Sequence, residues 1–431
     1  MKTISAAVAL AKTGIHRVYA CSEAYDETVT LPAGTSLFGG FECAAGWTYV
    51  GGDDKARIAP STAGVALRLT PGDGESLIRD VAITAQDAIL PGGSSIAVFA
   101  LPESVADIQR AIIAAGNGMR GEDGEDGKHN GEPAKTGING VDGGDACAAD
   151  FGPGGAAVFQ QCEDGGTSMG GQGGNGGEQF ANDGAAGFVA PNPNPQGFGL
   201  GGYGEASLPC TGGLAGAQGA NGKQGQSSTS NGRLTLAGYI GADGDDGGHG
   251  LPGQGGGGGG ASRGKASCGG VLHGGPGGGS GGSGGCGGRP GLGGQAGGSS
   301  IGLASLSAGV QLAEVSFSTG NGGDGGNGGV AQPGGQGGLP GIGGAGLPGA
   351  DAINAGCVGG GGGYGGNGGH GAGGHGGHSV WIASIPSTAP WAKTPSGSKG
   401  NAGKGGLAGD PSALEGLGAP GIRNDTVSLD P

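Results

Sequence analysis

Large side chains are what this chain has least of. Aromatic residues make up 4% of its 431 residues and apolar residues 34%, against a usual apolar share of about 45–50% with glycine counted. A core of interlocked rings and branched aliphatics is therefore excluded over most of the length. Basic charge is also scarce. Twenty Lys and Arg face 35 Asp and Glu, a net charge of −15. Nucleic acid, which needs a basic stripe to replace its counterions, is excluded as a partner. An anionic membrane surface is disfavoured for the same reason. No apolar run approaches the roughly 20 residues of a membrane span, so no membrane insertion is expected. The opening stretch Ile4–Ala11 is short for a signal peptide and is followed at once by Lys12. It reads as structure at the start of a mature chain. No two cysteines are spaced CxxC, which removes a common zinc pattern.

What is present is glycine, 121 residues, far above the usual share of about 7%. A flexible linker places Gly and Ser in no particular order. Here glycine keeps a period of three: Gly118, Gly121, Gly124 and Gly127; Gly137, Gly140 and Gly143; Gly213 to Gly225; Gly320 to Gly329; Gly397 to Gly409. Three residues per turn is the period of an extended helix that has no internal hydrogen bonds. Its N–H and C=O groups need partners on neighbouring segments if they are buried. Glycine on one or two faces lets those segments approach closely. Proline, 23 residues, is too sparse for a collagen triple helix. The pattern predicts an intrachain bundle of polyglycine II helices. Ala at Gly323 or Gly326 is then expected to push neighbours apart, and Ala at Asn321 or Asp324 to do little.

Residues 1–115 differ in kind. Ile4, Val8, Leu10 and Ala11 suggest one face of a short helix. Short β-type runs follow at Arg17–Cys21, Thr28–Leu31, Thr35–Phe38, Val65–Thr70, Ser76–Thr84, Ser95–Leu101 and Asp107–Ala114, separated by Gly- and Pro-containing turns. Related apolar segments recur at Ser95–Gly118, Ser300–Gly322 and Ser379–Gly400, each beginning Ser-Ile or Ser-Val and ending at glycine triplets. Arg233–Gly244 reads as a shorter relative. The expected organisation is a β-helix-like region with a helical cap over 1–115, and a triplet region over 116–299 with a short β segment near 232–241. A β-coil repeat follows at 300–320, triplets at 321–378, and a β-coil repeat with a glycine-triplet tail at 379–431.

The stretch TISAAVALAKTG–IHRVYACSEAYDETVTLPAGTSLFGGF resembles the N-terminal cap and first coils of pectate-lyase-like parallel β-helix proteins. The triplets resemble the polyglycine II packing of snow flea antifreeze protein and of phage tail-fibre adhesin tips. The alternation of β segments and triplets is similar to glycine-rich secreted proteins of myxobacterial type. These resemblances imply a mainly β fold, with right-handed parallel β-helix-like coils interleaved with bundled polyglycine II helices, at a cell surface or outside the cell.

Eight cysteines, Cys21, Cys43, Cys147, Cys162, Cys210, Cys268, Cys286 and Cys357, are candidates for four disulfides, which implies an oxidising compartment. Closeness in sequence favours Cys21–Cys43 and Cys147–Cys162 and leaves the rest open. His370, His375 and His378 suggest a metal site, but two of them a turn apart sit roughly 9 Å from each other on such a helix, so exposed side chains on a solvated ridge are the preferred reading. The acidic rows Glu122/Glu125 and Asp123/Asp126, and Asp243, Asp245 and Asp246, read as solvated charge in preference to a calcium site. Asp53, Asp54, Asp80, Asp87 and Asp107 show no spacing that marks a catalytic pair. Trp47, Tyr49, Trp381 and Trp391 read as buried anchors, with a sugar platform as the other reading. The chain is expected not to be an enzyme and to hold no cofactor or metal. The leading expectation is a structural protein of scaffold, coat or filament type that self-associates. An adhesin for a surface glycan or protein receptor is the alternative. Ice binding ranks below both, for want of a Thr array.

Overall fold

Ile4–Ala11 forms the one α-helix among the described residues (α1). The computed structural model describes residues 2–44, 46–128, 131–191, 193–268, 273–385 and 395–429. Thr3 caps α1, its Oγ1 accepting from the Ala6 N–H at 3.2 Å. Ile4, Val8 and Ala11 are buried, while Leu10 is 61% exposed. The 4-and-3 spacing puts the first three in one stripe and leaves Leu10 off it.

Three parallel six-stranded sheets follow. The first holds Arg17–Cys21, Ser36–Glu42, Ser76–Arg79, Val105–Gln109 and Gly309–Ala313, with Thr48–Tyr49 added antiparallel to Ser36–Glu42. The second holds Ala24–Tyr25, Ala56–Ile58, Val81–Thr84, Ile112–Ala115, Ser316–Thr319 and Ser396–Lys399. The third holds Val29–Pro32, Val65–Thr70, Ser95–Ala100, Ser300–Leu306, Ser379–Ile385 and Arg423–Ser428. From Val29–Pro32 to Ser316–Thr319 the chain visits them in a fixed order, third to first to second, and then begins the next circuit. Large apolar side chains stack as a result. Val18, Leu37, Ile78, Ile108 and Leu312 form one buried column in register. Ile58, Ile83, Ile113 and Phe317 form another, and Leu67, Val98, Leu303 and Ile382 a third. Each fully buried side chain contributes about 1.5–3 kcal/mol. The Ser-Ile and Ser-Val segments lie side by side, with Ser95 opposite Ser300 and Ser300 opposite Ser379.

Two runs that read as single strands are each folded at a corner. Asp80 (φ 54°) separates Ser76–Arg79 from Val81–Thr84, and Arg110 (φ 48°) stands between Val105–Gln109 and Ile112–Ala115. Glu314 (φ 57°) repeats the device one circuit later. A left-handed non-glycine residue costs about 1–2 kcal/mol, and here each turns the chain from the first sheet into the second. Arg233–Gly244 is not a coil: Arg233–Thr235 and Gly238–Ile240 form an antiparallel hairpin. The run after residue 400 ends not as a triplet tail but in Arg423–Ser428, a sixth strand of the third sheet.

Every long glycine excursion leaves after a second-sheet strand and returns into a third-sheet strand. Departures follow Ala115, Thr319 and Lys399; returns come at Ser300, Ser379 and Arg423. Sheet register continues into the excursions. Ala115 pairs with Thr319 and Thr319 with Lys399. Farther along, the Gly118, Gly121 and Gly124 N–H groups donate to the Asn321, Asp324 and Asn327 carbonyls at 2.7–2.9 Å. The Gly322, Gly325 and Gly328 N–H groups donate to Asn401, Lys404 and Leu407. The step is three residues on both partners throughout.

The disulfides are Cys21–Cys43, Cys147–Cys268, Cys162–Cys286 and Cys210–Cys357. The expected Cys147–Cys162 pair is not formed. Those two cysteines sit on different excursion segments, and each crosses to a neighbour 121 or 124 residues away. No helix among the described residues is long and apolar enough to cross a membrane.

Candidate functional site

Segment 277–298 lies at the centre of the glycine region. Its Gly282, Gly285, Gly288, Gly291 and Gly294 N–H groups donate to 360–372 in parallel steps of three. Its Ser280, Ser283, Cys286, Leu292 and Gln295 N–H groups donate to 122–141 in antiparallel steps. Segments 244–259 and 323–344 donate to it on further sides. Residues 274–286 are buried without interruption. A β-carbon built on Gly326 would lie 1.7 Å from the Glu122 carbonyl oxygen, and one on Gly323 would lie 2.2 Å from that of Met119.

Side chains at the third position satisfy main-chain groups of the next segment. Ser283 Oγ accepts from the Ile138 N–H at 2.7 Å and Ser280 Oγ from Val141 at 2.8 Å. Asn117 Oδ1 accepts from Asn321 N–H, and Asn321 Oδ1 from Asn401 N–H, both at 2.8 Å. Asp123 and Asn327 form the same relay toward Leu407, and Asp324 accepts from Lys404 at 2.7 Å. The expectation that Ala at Asn321 or Asp324 does little left these bonds out of account. They are acceptors in a ladder, not spectators. The acidic rows are exposed, as expected of solvated charge, and four of their Asp residues also accept main-chain N–H groups. Asp123 and Asp126 bind the Asn327 and Val330 N–H groups, and Asp243 and Asp246 bind those of Ala296 and Gly293. Burial tends to raise the Asp123 carboxyl, but the Asn327 N–H and Arg120 outweigh it and hold it below the usual carboxylate range.

The histidines are not on a solvated ridge. His375 and His378 are buried, with ring centroids 5.5 Å apart, because neighbouring segments close over both. His378 Nε2–H donates to the Asn231 carbonyl at 2.7 Å while its Nδ1 accepts from the Ile422 N–H at 2.9 Å. Both ring nitrogens are thus committed to the neutral tautomer. Burial pushes its pKa down to about 4. His370 Nδ1 accepts from the Ala331 N–H at 3.1 Å. No group of three His, Cys, Asp or Glu is placed to hold a metal among the described residues.

Of the candidate acids, Asp80 is bound by Arg110 through Nε (2.9 Å) and Nη2 (2.6 Å), and by the Tyr49 hydroxyl (2.9 Å). Burial alone would raise its pKa; the guanidinium and hydroxyl together lower it. Asp87 accepts from Asn117 and Asp107 from Gln109, while Asp53 and Asp54 lie in an exposed turn. These contacts do not assemble a carboxylate pair.

The aromatic residues divide. Trp381 is buried, stacked at 6.1 Å on Phe317. Trp391 lies outside the described residues. Trp47 and Tyr49 are not buried anchors: they are 55% and 51% exposed. They belong to a platform on the outer face of the first sheet. Phe41 sits at its middle, with ring centroids 5.4 Å from Tyr19, 5.5 Å from Tyr49 and 6.5 Å from Trp47; Phe38 stacks on Tyr19 at 5.4 Å. Strand alternation puts Tyr19 and Phe38 outside, beside the inward Val18 and Leu37, and the register shift between Phe38 and Phe41 returns Phe41 to the outer face. Sequence reasoning passed over Tyr19, Phe38 and Phe41. The available signal was density: residues 19–49 hold six of the chain's 18 Phe, Tyr and Trp. A groove bounded by Leu10, Ile15, Arg17, Tyr19, Phe41 and Trp47 runs beside the platform.

Compared with family models, curated proteins and solved structures, the chain has no significant match.

Proposed function

We propose that this chain is an extracytoplasmic structural protein. In this reading the three-sheet body is a right-handed parallel β-helix, and the glycine excursions are polyglycine II helices bundled along one of its corners. The protein acts as a stiff scaffold or coat unit that holds an outer surface in place. The observation that carries the reading is segment 277–298. It is enclosed on several sides by main chain, bonded in steps of three, and its one large apolar side chain, Leu292, is exposed. Such a segment has one evident use, which is rigidity. Four disulfides support an oxidising location. Because α1 buries Ile4, Val8 and Ala11 over the start of the core, fibre growth by stacking β-coils is blocked at that end. A discrete unit, or lateral assembly through the bundle, fits better.

Electron microscopy with hydrogen exchange tests this. Stiff particles or ordered arrays, with amides of 277–298 protected, are expected. A mobile, unprotected glycine region overturns it. The exposed aromatic platform favours a second, compatible reading, in which the scaffold presents an adhesive face.

A further inference from the structure

We propose that the platform of Tyr19, Trp47 and Tyr49 binds a neutral polysaccharide. This deepens the adhesive reading and is independent of the scaffold role. Three observations lead to it. First, a chain poor in aromatics leaves three of them about half exposed side by side, at 44%, 55% and 51%. Clustered exposure of this kind marks a contact surface, whereas scattered apolar residues do not. Second, the rings are held in advance. The Cys21–Cys43 disulfide ties the ends of Arg17–Cys21 and Ser36–Glu42. Phe41 supports all three rings from the centre. The Tyr49 hydroxyl is fixed between Asp80 and Arg110. Preorganised rings lose little entropy on binding. Third, polar groups border the apolar surface. Arg17 lines the groove and makes no ion pair among the described residues, and Glu42 is exposed at the end of its strand.

A pyranose presents a C–H face and a rim of hydroxyls, so it needs a flat ring with donors and acceptors at the edge. Tyr19 and Tyr49 each pack edge to face on Phe41, at 88° and 61°, so the exposed rings offer several separate faces, which suits a chain over a monosaccharide. The net charge of −15 repels polyanions, so the sugar is neutral. A folded protein partner fits less well. Aromatic side chains bury about 150–250 Å² each, so three half-exposed rings offer about 300 Å². A stable protein interface takes about 800 Å² per partner.

The test is retention of the whole chain on insoluble cellulose and chitin, with soluble xylan followed by calorimetry. Binding to at least one is expected, with at least a tenfold loss in Trp47→Ala and in Tyr19→Ala. Trp47→Phe, which keeps a ring plane, should retain most of it. Unchanged melting temperatures show that the variants fold; if Trp47→Ala does not fold, Tyr19→Ala and Trp47→Phe decide. No binding to any of the three sugars overturns the proposal. So does binding that survives both alanine substitutions, or platform-dependent binding only to phosphatidylcholine vesicles. None of these outcomes alters amide protection in 277–298, which tests the scaffold separately.

Discussion

A glycine and the acceptor beside it do different jobs in the bundle, and substitution separates them. Gly326 faces a carbonyl with no room for a methyl group, and Gly326→Ala must move a main-chain segment. A loss of about 3 kcal/mol or more is expected, read as a lower denaturation midpoint, in line with overpacking of a tight core. Asp324 instead supplies one hydrogen bond to Lys404 N–H at an exposed position. Asp324→Ala is expected to cost about 0.5–1.5 kcal/mol, and Asp324→Asn, which keeps the acceptor, close to nothing. Equal losses for Ala and Asn at 324 would mean that charge, not the accepted N–H, is what matters there. The glycine period was legible in the sequence because packing acts directly on the missing β-carbon. The role of Asn321 and Asp324 was not, because their partners lie 80 residues away and only the register of the sheets brings them together.

The corners and the buried histidine carry the argument at the level of elements. Strand runs such as Ser76–Thr84 were readable from their apolar alternation. The bends within them were not, because Asp80 and Arg110 take left-handed φ without being glycine. What holds Asp80 there is a side-chain network, and networks between circuits leave no local signature. Arg110→Ala would leave the nearly buried Asp80 carboxylate with Tyr49 alone. A loss of about 1–3 kcal/mol is expected at pH 7, and it should shrink in acid as Asp80 protonates. His378 titrates in the next window up. Its folded pKa of about 4 lies below the ordinary value of about 6.5. Above pH 6.5 both folded and unfolded states are neutral there, and stability is at its full level. Between pH 6.5 and 4 only the unfolded chain takes up the proton, so stability falls as pH falls. The loss totals on the order of 3 kcal/mol by pH 4. Denaturation midpoints measured across that range should slope in the native protein. They should flatten in His378→Gln, at the cost of a lower plateau from the altered bonds to Asn231 and Ile422.

At the scale of the whole molecule, the two kinds of interior fail differently. The three-sheet body buries stacked aliphatic columns and gains hydrophobic free energy in proportion to that area. The glycine bundle has few such groups and loses the most backbone entropy on ordering. Its offsets are lateral hydrogen bonds and three of the four disulfides, which close loops of 121, 124 and 147 residues. On a chain-entropy account, closing a loop of that length stabilises by about 4–5 kcal/mol. Reduction should therefore act on the bundle first. Hydrogen exchange after full reduction is expected to show protection lost across 277–298 and its neighbours, while amides of Ser95–Ala100 and Ile112–Ala115 exchange slowly at lower temperature. The shared corner makes the converse informative. Register passes from Ala115 and Thr319 straight into Gly118 and Asn321, so the body templates the first turns of the bundle. Ile108→Ala, in the buried column, should cost about 2–5 kcal/mol. It should also loosen the bundle residues nearest the corner, 118–124, before those at 137–143. Exchange that rises uniformly along 118–143 would show instead that the bundle stands by its own crosslinks.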